Sequence, residues 1–282
     1  MKYAGTNLFS PVRIISYLFL AVIAVFAIFP FYWMLINSLK PSDEVFAIPP
    51  TYFPSEINVE SYTNLFASTS MFPRNMLNSL IVATCTALLA TLVATMAGYS
   101  FSKFRFPGNR PLSYSLFLTQ MFPVAAILVP LFIIFQRLGL YNTLGALIVA
   151  GMAFSVPVAI WLMIGFFDAI PSELIDAALI DGASQIGVLF RIILPISVNG
   201  IVATTMYIFI SAWSELLFAV TFTSSRELAT LPVALSNFTG QYGTDWTGMM
   251  AASVLTALPV AIIFLILQRY FVQGITAGAV KS

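Results

Sequence analysis

Long apolar runs alternate with short polar segments along the whole chain of 282 residues. An α-helix rises 1.5 Å per residue, so about 20 apolar residues cross a hydrocarbon core of about 30 Å. Six runs reach that length, with predicted limits at residues 14–36, 77–100, 113–135, 143–167, 198–222 and 248–268. The pattern therefore predicts an all-α membrane protein with six transmembrane helices.

The composition also points to a chain that is solvated by lipid. Hydrophobic residues make up 60% of the sequence and charged residues 8%, whereas a soluble domain carries about a quarter charged residues. A net charge of +1 provides no basic field, so nucleic acid is excluded as a partner. The sequence has no histidine and one cysteine, Cys85, which excludes imidazole catalysis, His-ligated metals and an internal disulfide.

The distribution of Lys and Arg predicts the orientation, because cytoplasmic loops carry an excess of both. With a cytoplasmic N-terminus, the outward-facing cations are only Lys40, Arg74, Arg137 and Arg226. The cytoplasm then receives Lys2, Arg13, Lys103, Arg105, Arg110, Arg191, Arg269 and Lys281. Both termini are therefore predicted to be cytoplasmic, as is the segment 169–195. The first run exceeds the apolar length of a signal peptide, so we expect an uncleaved helix.

The segment from Glu173 to Pro195 carries more structural signals than a simple connector needs. Pro171 fits a first helical turn, and Glu173 places an acid near the positive end of a helix. Gly182 suits the left-handed position that ends a helix, and Ser184 can cap a second one. The sequence thus predicts a helix, a sharp turn and a second helix that hands over to the fifth span at Pro195.

The same segment resembles a family motif. The pattern E-A-A-x3-G-x9-I-x-L-P marks integral-membrane subunits of bacterial ABC importers, and every spacing is kept here from Asp176 to Pro195. Asp176 stands where the family usually has Glu, which puts the exact position of its partner in doubt. Further similarity to carbohydrate-uptake permeases, most of all the smaller maltose-type permease, lies at Phe29–Tyr32, Ser38–Lys40, Asn78–Ser79, Phe104–Gly108 and Gln268–Lys281.

The resemblance implies a type I ABC importer permease fold in a bacterial cytoplasmic (inner) membrane. Residues 1–74 would hold the first helix and an external segment, 75–270 the transport core, and 271–282 a cytoplasmic tail. Family members work with a second permease, a cytoplasmic ATPase dimer and an external solute-binding protein. The implied ATPase-coupling residues are Glu173, Asp176, Ala177, Ala178, Asp181 and Gly182, and the implied tail contacts are Gly274, Gly278 and Lys281.

The sequence shows no energy source within the chain itself. None of its lysines completes a G-x4-G-K-[ST] phosphate loop, so ATP and Mg²⁺ would be bound by the partner ATPase and this chain would not be an enzyme. An ion-coupled carrier would keep several ionisable groups within its spans, and only Glu215 qualifies. We therefore expect a passive subunit, and the resemblance implies a sugar or oligosaccharide as its solute. Another polar solute such as glycerol phosphate, or an ion-coupled carrier, is an alternative.

A polar stripe marks the fifth predicted span. Thr204, Tyr207, Ser211 and Glu215 fall within an arc of about 80° on a helix. They either line the translocation path or act as hydrogen-bonding contacts between helices. Gln120 in the third span is a second candidate for the path, or it fills the kink expected at Pro123 with a hydrogen bond. We expect no metal site.

Overall fold

The computed structural model describes residues 11–240 and 243–279, with side chains at all of these positions except 13 and 271–279. This part of the chain is almost wholly helical, as predicted. Its helices are α1 (Pro11–Ser38), α2 (Glu60–Leu65), α3 (Phe72–Lys103), α4 (Asn109–Leu118), α5 (Val124–Arg137), α6 (Leu144–Asp168), α7 (Glu173–Ile180), α8 (Gln185–Val188), α9 (Leu194–Ile196), α10 (Val198–Trp213), α11 (Leu217–Phe222), α12 (Leu231–Ser236) and α13 (Trp246–Ala279). Two short antiparallel strands, β1 (Thr239–Gly240) and β2 (Gly243–Thr244), depart from the all-α prediction.

Within residues 11–240 and 243–279, four helices are long and apolar enough to cross a membrane. They comprise Ile14–Ser38, Phe72–Lys103, Leu144–Asp168 and Trp246–Tyr270, and they match the first, second, fourth and sixth predicted spans. Two bent helix pairs raise the number to six if each pair forms one span. Pro157 and Pro259 lie inside continuous helices.

The span predicted over 113–135 bends at Pro123 as expected, but it is broken there and does not form one helix. Residues 109–121 and 124–137 form two helical pieces that meet at 99°. The break falls at Phe122, whose backbone is extended with ψ 129°. Proline disfavours the helical conformation in the residue before it, so Pro123 ends the first piece and begins the second.

The prediction of a continuous helix over 198–222 is also wrong. Helix α10 ends at Trp213 and α11 begins at Leu217. The piece before α10 runs over Gln185–Ile196 and is bent from it by 76°. The hand-over therefore lies at Ser197, two residues beyond the predicted Pro195. A π-helical turn over Leu189–Ile193 precedes that proline, which cannot donate a backbone hydrogen bond.

The chain divides into two compact units, and the first combines α1 and α2 with residues 238–257. In this unit the Lys40 side chain is almost fully buried. Its Nζ donates hydrogen bonds to Asn37 Oδ1 at 3.0 Å and to the Thr51 carbonyl oxygen at 2.7 Å. The Glu44 carboxylate accepts hydrogen bonds from Thr51 and Ser55. These contacts fold the polar segment back onto the end of α1.

The second unit contains residues 69–237 and the chain from 258 onward. Its core is formed by α3, α6 and α10. Small residues let α3 and α6 approach closely, and a methyl group built on Gly98 would lie 2.7 Å from the Cβ atom of Met163. The buried alanines on the same face of α3 are Ala83, Ala87, Ala90 and Ala94. This close crossing holds the C-terminal end of α6 beside the C-terminal end of α3.

Candidate coupling site

The segment after α6 forms a sharp corner between α7 and α8. Gly182 follows α7 with φ 85°, in the left-handed region that glycine adopts without strain. The N–H of Ala183 donates to the carbonyl of Ala178, and the N–H of Gly182 donates to that of Leu179, both at 3.0 Å. This pair of bonds is a Schellman motif. The predicted role of Gly182 in ending the helix is confirmed.

The second helix of the corner begins as predicted. Ser184 has an extended backbone, and its Oγ accepts the N–H of Gly187 at 3.1 Å. A side-chain acceptor at this position satisfies one of the free N–H groups of a helix start. Both ends of the turn are therefore fixed by local hydrogen bonds, which makes the corner a stiff element.

One face of the corner is buried against the rest of the protein, and the other face is exposed. Ile175 and Ala178 are buried, whereas Ile180 is 86% exposed and Ile186 is 71% exposed. Leu174 adds to this apolar surface at 45% exposure. Exposed apolar groups on a segment this rich in polar neighbours are typical of a protein–protein contact.

The residues implied by the family motif divide between these faces. Five of the six motif residues are exposed around the apolar side chains, and only Ala178 lies in the buried face. Two acids, Glu173 and Asp176, stand in the first turn of α7, where the helix dipole stabilises negative charge. The exposed residues are Glu173, Asp176, Ala177, Asp181 and Gly182.

The corner is tied to the end of α3 by contacts that sequence analysis missed. Lys103 Nζ donates to the Ile170 carbonyl oxygen at 2.7 Å, and Ser102 Oγ donates to the Asp168 carboxylate. The carboxylates of Asp168 and Glu173 both attract the Lys103 ammonium. From the sequence alone, Lys103 is only one of the positive charges that are predicted to lie in the cytoplasm. Its partners lie more than 60 positions further along the chain, and no local pattern indicates them.

Aromatic packing reinforces this junction. The Tyr99 ring lies edge-on to Phe167 at 5.7 Å and to Phe104 at 5.6 Å between centroids. Tyr99 and Phe167 are both buried. Edge-to-face pairs of this kind add to the stability from buried area. The C-terminal ends of α3 and α6 are therefore packed firmly against each other.

The predicted polar stripe is divided by the structure. Thr204 is fully buried and its hydroxyl lies 3.5 Å from the Met163 sulfur, so it packs between helices. Tyr207 is 43% exposed and Ser211 is exposed one turn beyond it. The Ser211 hydroxyl donates to the Tyr207 carbonyl at 2.9 Å.

The remaining stripe member, Glu215, is not on the same helix, because α10 ends at Trp213. Its carboxylate accepts the N–H of Phe218 at 3.0 Å and so caps the start of α11. Glu215 also lines a cavity of about 20 Å³, together with Thr230, whose buried hydroxyl has no partner among the described residues. That volume holds about one water molecule.

Gln120 lies in the turn that joins α4 to α5. Its Nε2 donates to the Phe154 carbonyl oxygen on α6 at 3.1 Å, so it links two helices and does not fill the break at Pro123. Of the implied tail contacts, Gly274 and Gly278 lie within the range of α13, where side chains are not described. Lys281 lies outside the described residues.

Comparison with known proteins places these features in context. Residues 90–277 match the family model described as "Binding-protein-dependent transport system inner membrane component". The chain is 35% identical to the inner membrane ABC transporter permease protein YcjP of Escherichia coli, over 99% of this chain and all of that protein. It is 33% identical to the trehalose/maltose transport system permease protein MalG of Thermococcus litoralis, over 96% and 97%.

A solved structure has a similar fold. It comes from a bacterial ABC transporter involved in the import of the acidic polysaccharide alginate. The two chains superpose with a TM-score of 0.76, at 21% identity, over 94% of this chain and all of the other. At that identity the likeness concerns the fold alone.

Proposed function

Because the chain belongs to the family of binding-protein-dependent transport system inner membrane components, we propose that it carries a sugar or oligosaccharide as the permease subunit of an ATP-driven importer. The sugar class is supported by relatives named for trehalose/maltose, diacetylchitobiose and trehalose transport. A solute-binding protein outside the cell would deliver the solute. A second permease would complete the translocation pathway.

The main observation behind this proposal is the exposed apolar surface of the corner between α7 and α8. Ile180 and Ile186 stand exposed on an element that is internally rigid and bonded to α3. A flexible connector could not transmit force, whereas a rigid corner with exposed isoleucines suits a contact with a partner protein. A partner that grips this corner would therefore pull on α3 and α6 together. We assign that partner as a cytoplasmic ATPase dimer, which would bind ATP and Mg²⁺ and perform the hydrolysis.

The proposed topology follows from the same assignment. Each bent helix pair counts as one span, giving six helices across a bacterial inner membrane. The corner then faces the cytoplasm together with both termini. Residues 40–74 form part of the external surface, residues 75–270 the transport core, and residues 271–282 a cytoplasmic tail.

The proposed path surface is narrower than the stripe predicted from sequence. It retains Tyr207 and Ser211, which are exposed on α10, and it loses Thr204, which is packed against Met163. A phenol and a hydroxyl one turn apart can exchange hydrogen bonds with sugar hydroxyls. Glu215 and Gln120 would contribute to this surface indirectly. Glu215 caps the start of α11, and Gln120 links the turn between α4 and α5 to α6.

The docking assignment is tested by co-purification of the ATPase with single variants of this chain. Ile180→Ser removes an 86% exposed apolar side chain from the corner, and Ile57→Ser is the matched control at 70% exposure on the proposed external segment. We expect Ile180→Ser to reduce ATPase recovery severalfold and Ile57→Ser to leave it unchanged. Equal recovery with both variants would refute the assignment.

A further inference from the structure

A basic cavity lies between the end of α3 and the start of α4, next to the contacts that tie α3 to the corner. It is open to the surface and has a volume of about 740 Å³. Two arginines, Arg105 and Arg110, line it beside the rings of Phe101, Phe104 and Phe106. The cavity therefore combines two fixed positive charges with an aromatic wall.

The positive charges in this cavity have no counter-charge nearby in the part of the chain that the structure describes. Neither guanidinium has a hydrogen-bond or ion-pair partner among the described residues. The sequence contains no acidic residue between Glu60 and Asp168. Asp168 itself accepts from Ser102 and attracts Lys103, and it does not line the cavity. Two guanidinium groups without a partner among the described residues leave their N–H donors available to an anion from outside the chain.

The loop that carries these arginines is held in shape before any ligand arrives. The Asn109 side-chain amide donates to the carbonyls of Phe101 at 3.0 Å and Phe104 at 2.9 Å. Gly108 adopts φ 87° and turns the chain into α4. The rings of Phe101 and Phe106 lie 5.8 Å apart. A fixed loop loses little conformational entropy on binding, which favours a specific site.

The surroundings indicate where the anion comes from. Helix α4 continues from the cavity with an exposed apolar surface that includes Leu112, Tyr114 and Phe117. It belongs to a helix pair apolar enough to cross a membrane. A free phosphate would gain nothing from the rings or from this surface. An acidic protein segment would have to lie against a lipid-facing helix.

We propose that the cavity binds the phosphate of an anionic phospholipid. The fork-shaped guanidinium groups match phosphate oxygens, and the acyl chains would follow the apolar face of α4. Basic pockets beside membrane helices hold anionic headgroups on the cytoplasmic side. The site depends on the proposed topology only for the leaflet that supplies the lipid. Loss of the transport assignment would leave the lipid site in place.

The test measures lipid binding by native mass spectrometry of the full-length chain with its co-purifying subunits. Phosphatidylglycerol and phosphatidylcholine are titrated separately. We expect the anionic lipid to bind the wild type, and the double variant Arg105→Gln/Arg110→Gln to weaken it about 30-fold, roughly fivefold for each charge. Arg137→Gln, which removes an arginine outside the cavity, is the control and should change nothing.

Several outcomes would overturn the proposal. Unchanged phosphatidylglycerol binding in the double variant would place the lipid elsewhere. Displacement of the lipid by excess inorganic phosphate would make the site one for a free anion. Loss of ATPase recovery with unchanged lipid binding would make it a protein contact.

A second measurement needs no substitution in the cavity, in case the double variant fails to fold. Phosphatidylglycerol with a photoreactive group near its phosphate is cross-linked to the wild-type chain. We expect the adduct within residues 101–111. An adduct confined to other segments would contradict the site.

Discussion

Lys103, the last residue of α3, donates a 2.7 Å hydrogen bond to the backbone carbonyl of Ile170, the second residue after α6. This bond joins two helices of the core at the point where the chain turns into α7. The Asp168 and Glu173 carboxylates attract the same ammonium. Lys103 is therefore a positioning residue that holds the start of the corner between α7 and α8 to the end of α3.

Removal of the Lys103 ammonium should uncouple transport. Lys103→Met leaves the Ile170 carbonyl without its donor, which costs about 1–3 kcal/mol. Lys103→Arg retains a cationic donor and should preserve much of the activity. We expect solute uptake to fall well below ATP hydrolysis in the Met variant, measured in parallel in proteoliposomes. A Met variant with a normal ratio of uptake to hydrolysis would show that Lys103 has no role in coupling.

The turn at Gly182 should tolerate only residues that adopt a left-handed backbone. Gly182→Val places a β-branched side chain at φ 85° and should cost roughly 1–2 kcal/mol. Gly182→Asn accepts this conformation at lower cost. We expect the Val variant to lose uptake and the Asn variant to retain most of it, at equal expression in the membrane. Equal uptake by both would mean that the turn does not need its observed geometry.

Cysteine labelling should distinguish residues of α10 that line the proposed translocation path from residues that pack between helices. In a chain with Cys85→Ser, Ser211→Cys should react with a water-soluble thiol reagent because Ser211 is exposed. Thr204→Cys on the same helix should stay unlabelled because that position is fully buried. The measurement is the labelled fraction with and without ATP. Resistance of Ser211→Cys in both conditions would assign this residue to helix packing.

The polar segment after α1 should lose order only at low pH. Hydrogen bonds from Ser55 and Thr51 lower the pKa of Glu44 below its ordinary value. A carboxyl group with a lowered pKa stabilises the folded segment above its unfolded pKa, and this contribution is lost as the pH falls through the folded one. We expect hydrogen exchange of residues 44–55 to rise below the usual Glu range.

Glu44→Gln should raise this exchange already at neutral pH, because the neutral amide loses the charge-assisted bonds. Glu56→Gln, on an exposed neighbouring carboxylate, serves as the control. If hydrogen exchange in Glu44→Gln coincided with that of the wild type at every pH, the Glu44 carboxylate would not stabilise this segment.

The sequence predicts where long apolar helices lie, and it predicts less well where they break. Proline tends to kink a helix, yet Pro157 and Pro259 each lie within one unbroken helix. Pro123 ends a helix entirely, because Phe122 takes the extended conformation there. The three prolines have similar apolar neighbours. The residues next to a proline therefore do not by themselves predict whether it breaks the helix.

Local chemistry is predicted more fully than long-range contacts. The left-handed turn at Gly182 and the cap at Ser184 depend on residues within four positions, and the prediction of both is confirmed. The burial of Thr204 depends on Met163, which is 41 positions away. The bond from Lys103 to Ile170 spans 67 positions. A single sequence carries no signal for such pairs.

The central claim is that the corner between α7 and α8 transmits the work of a separate ATPase to a passive pathway. The most direct test reconstitutes the chain with its second permease and ATPase, and measures sugar accumulation against a gradient. We predict ATP-dependent uptake in the complete assembly, its loss with Asp176→Lys despite normal membrane insertion, and none with the chain alone. Uphill accumulation by the chain alone, or full coupling with Asp176→Lys, would contradict the account.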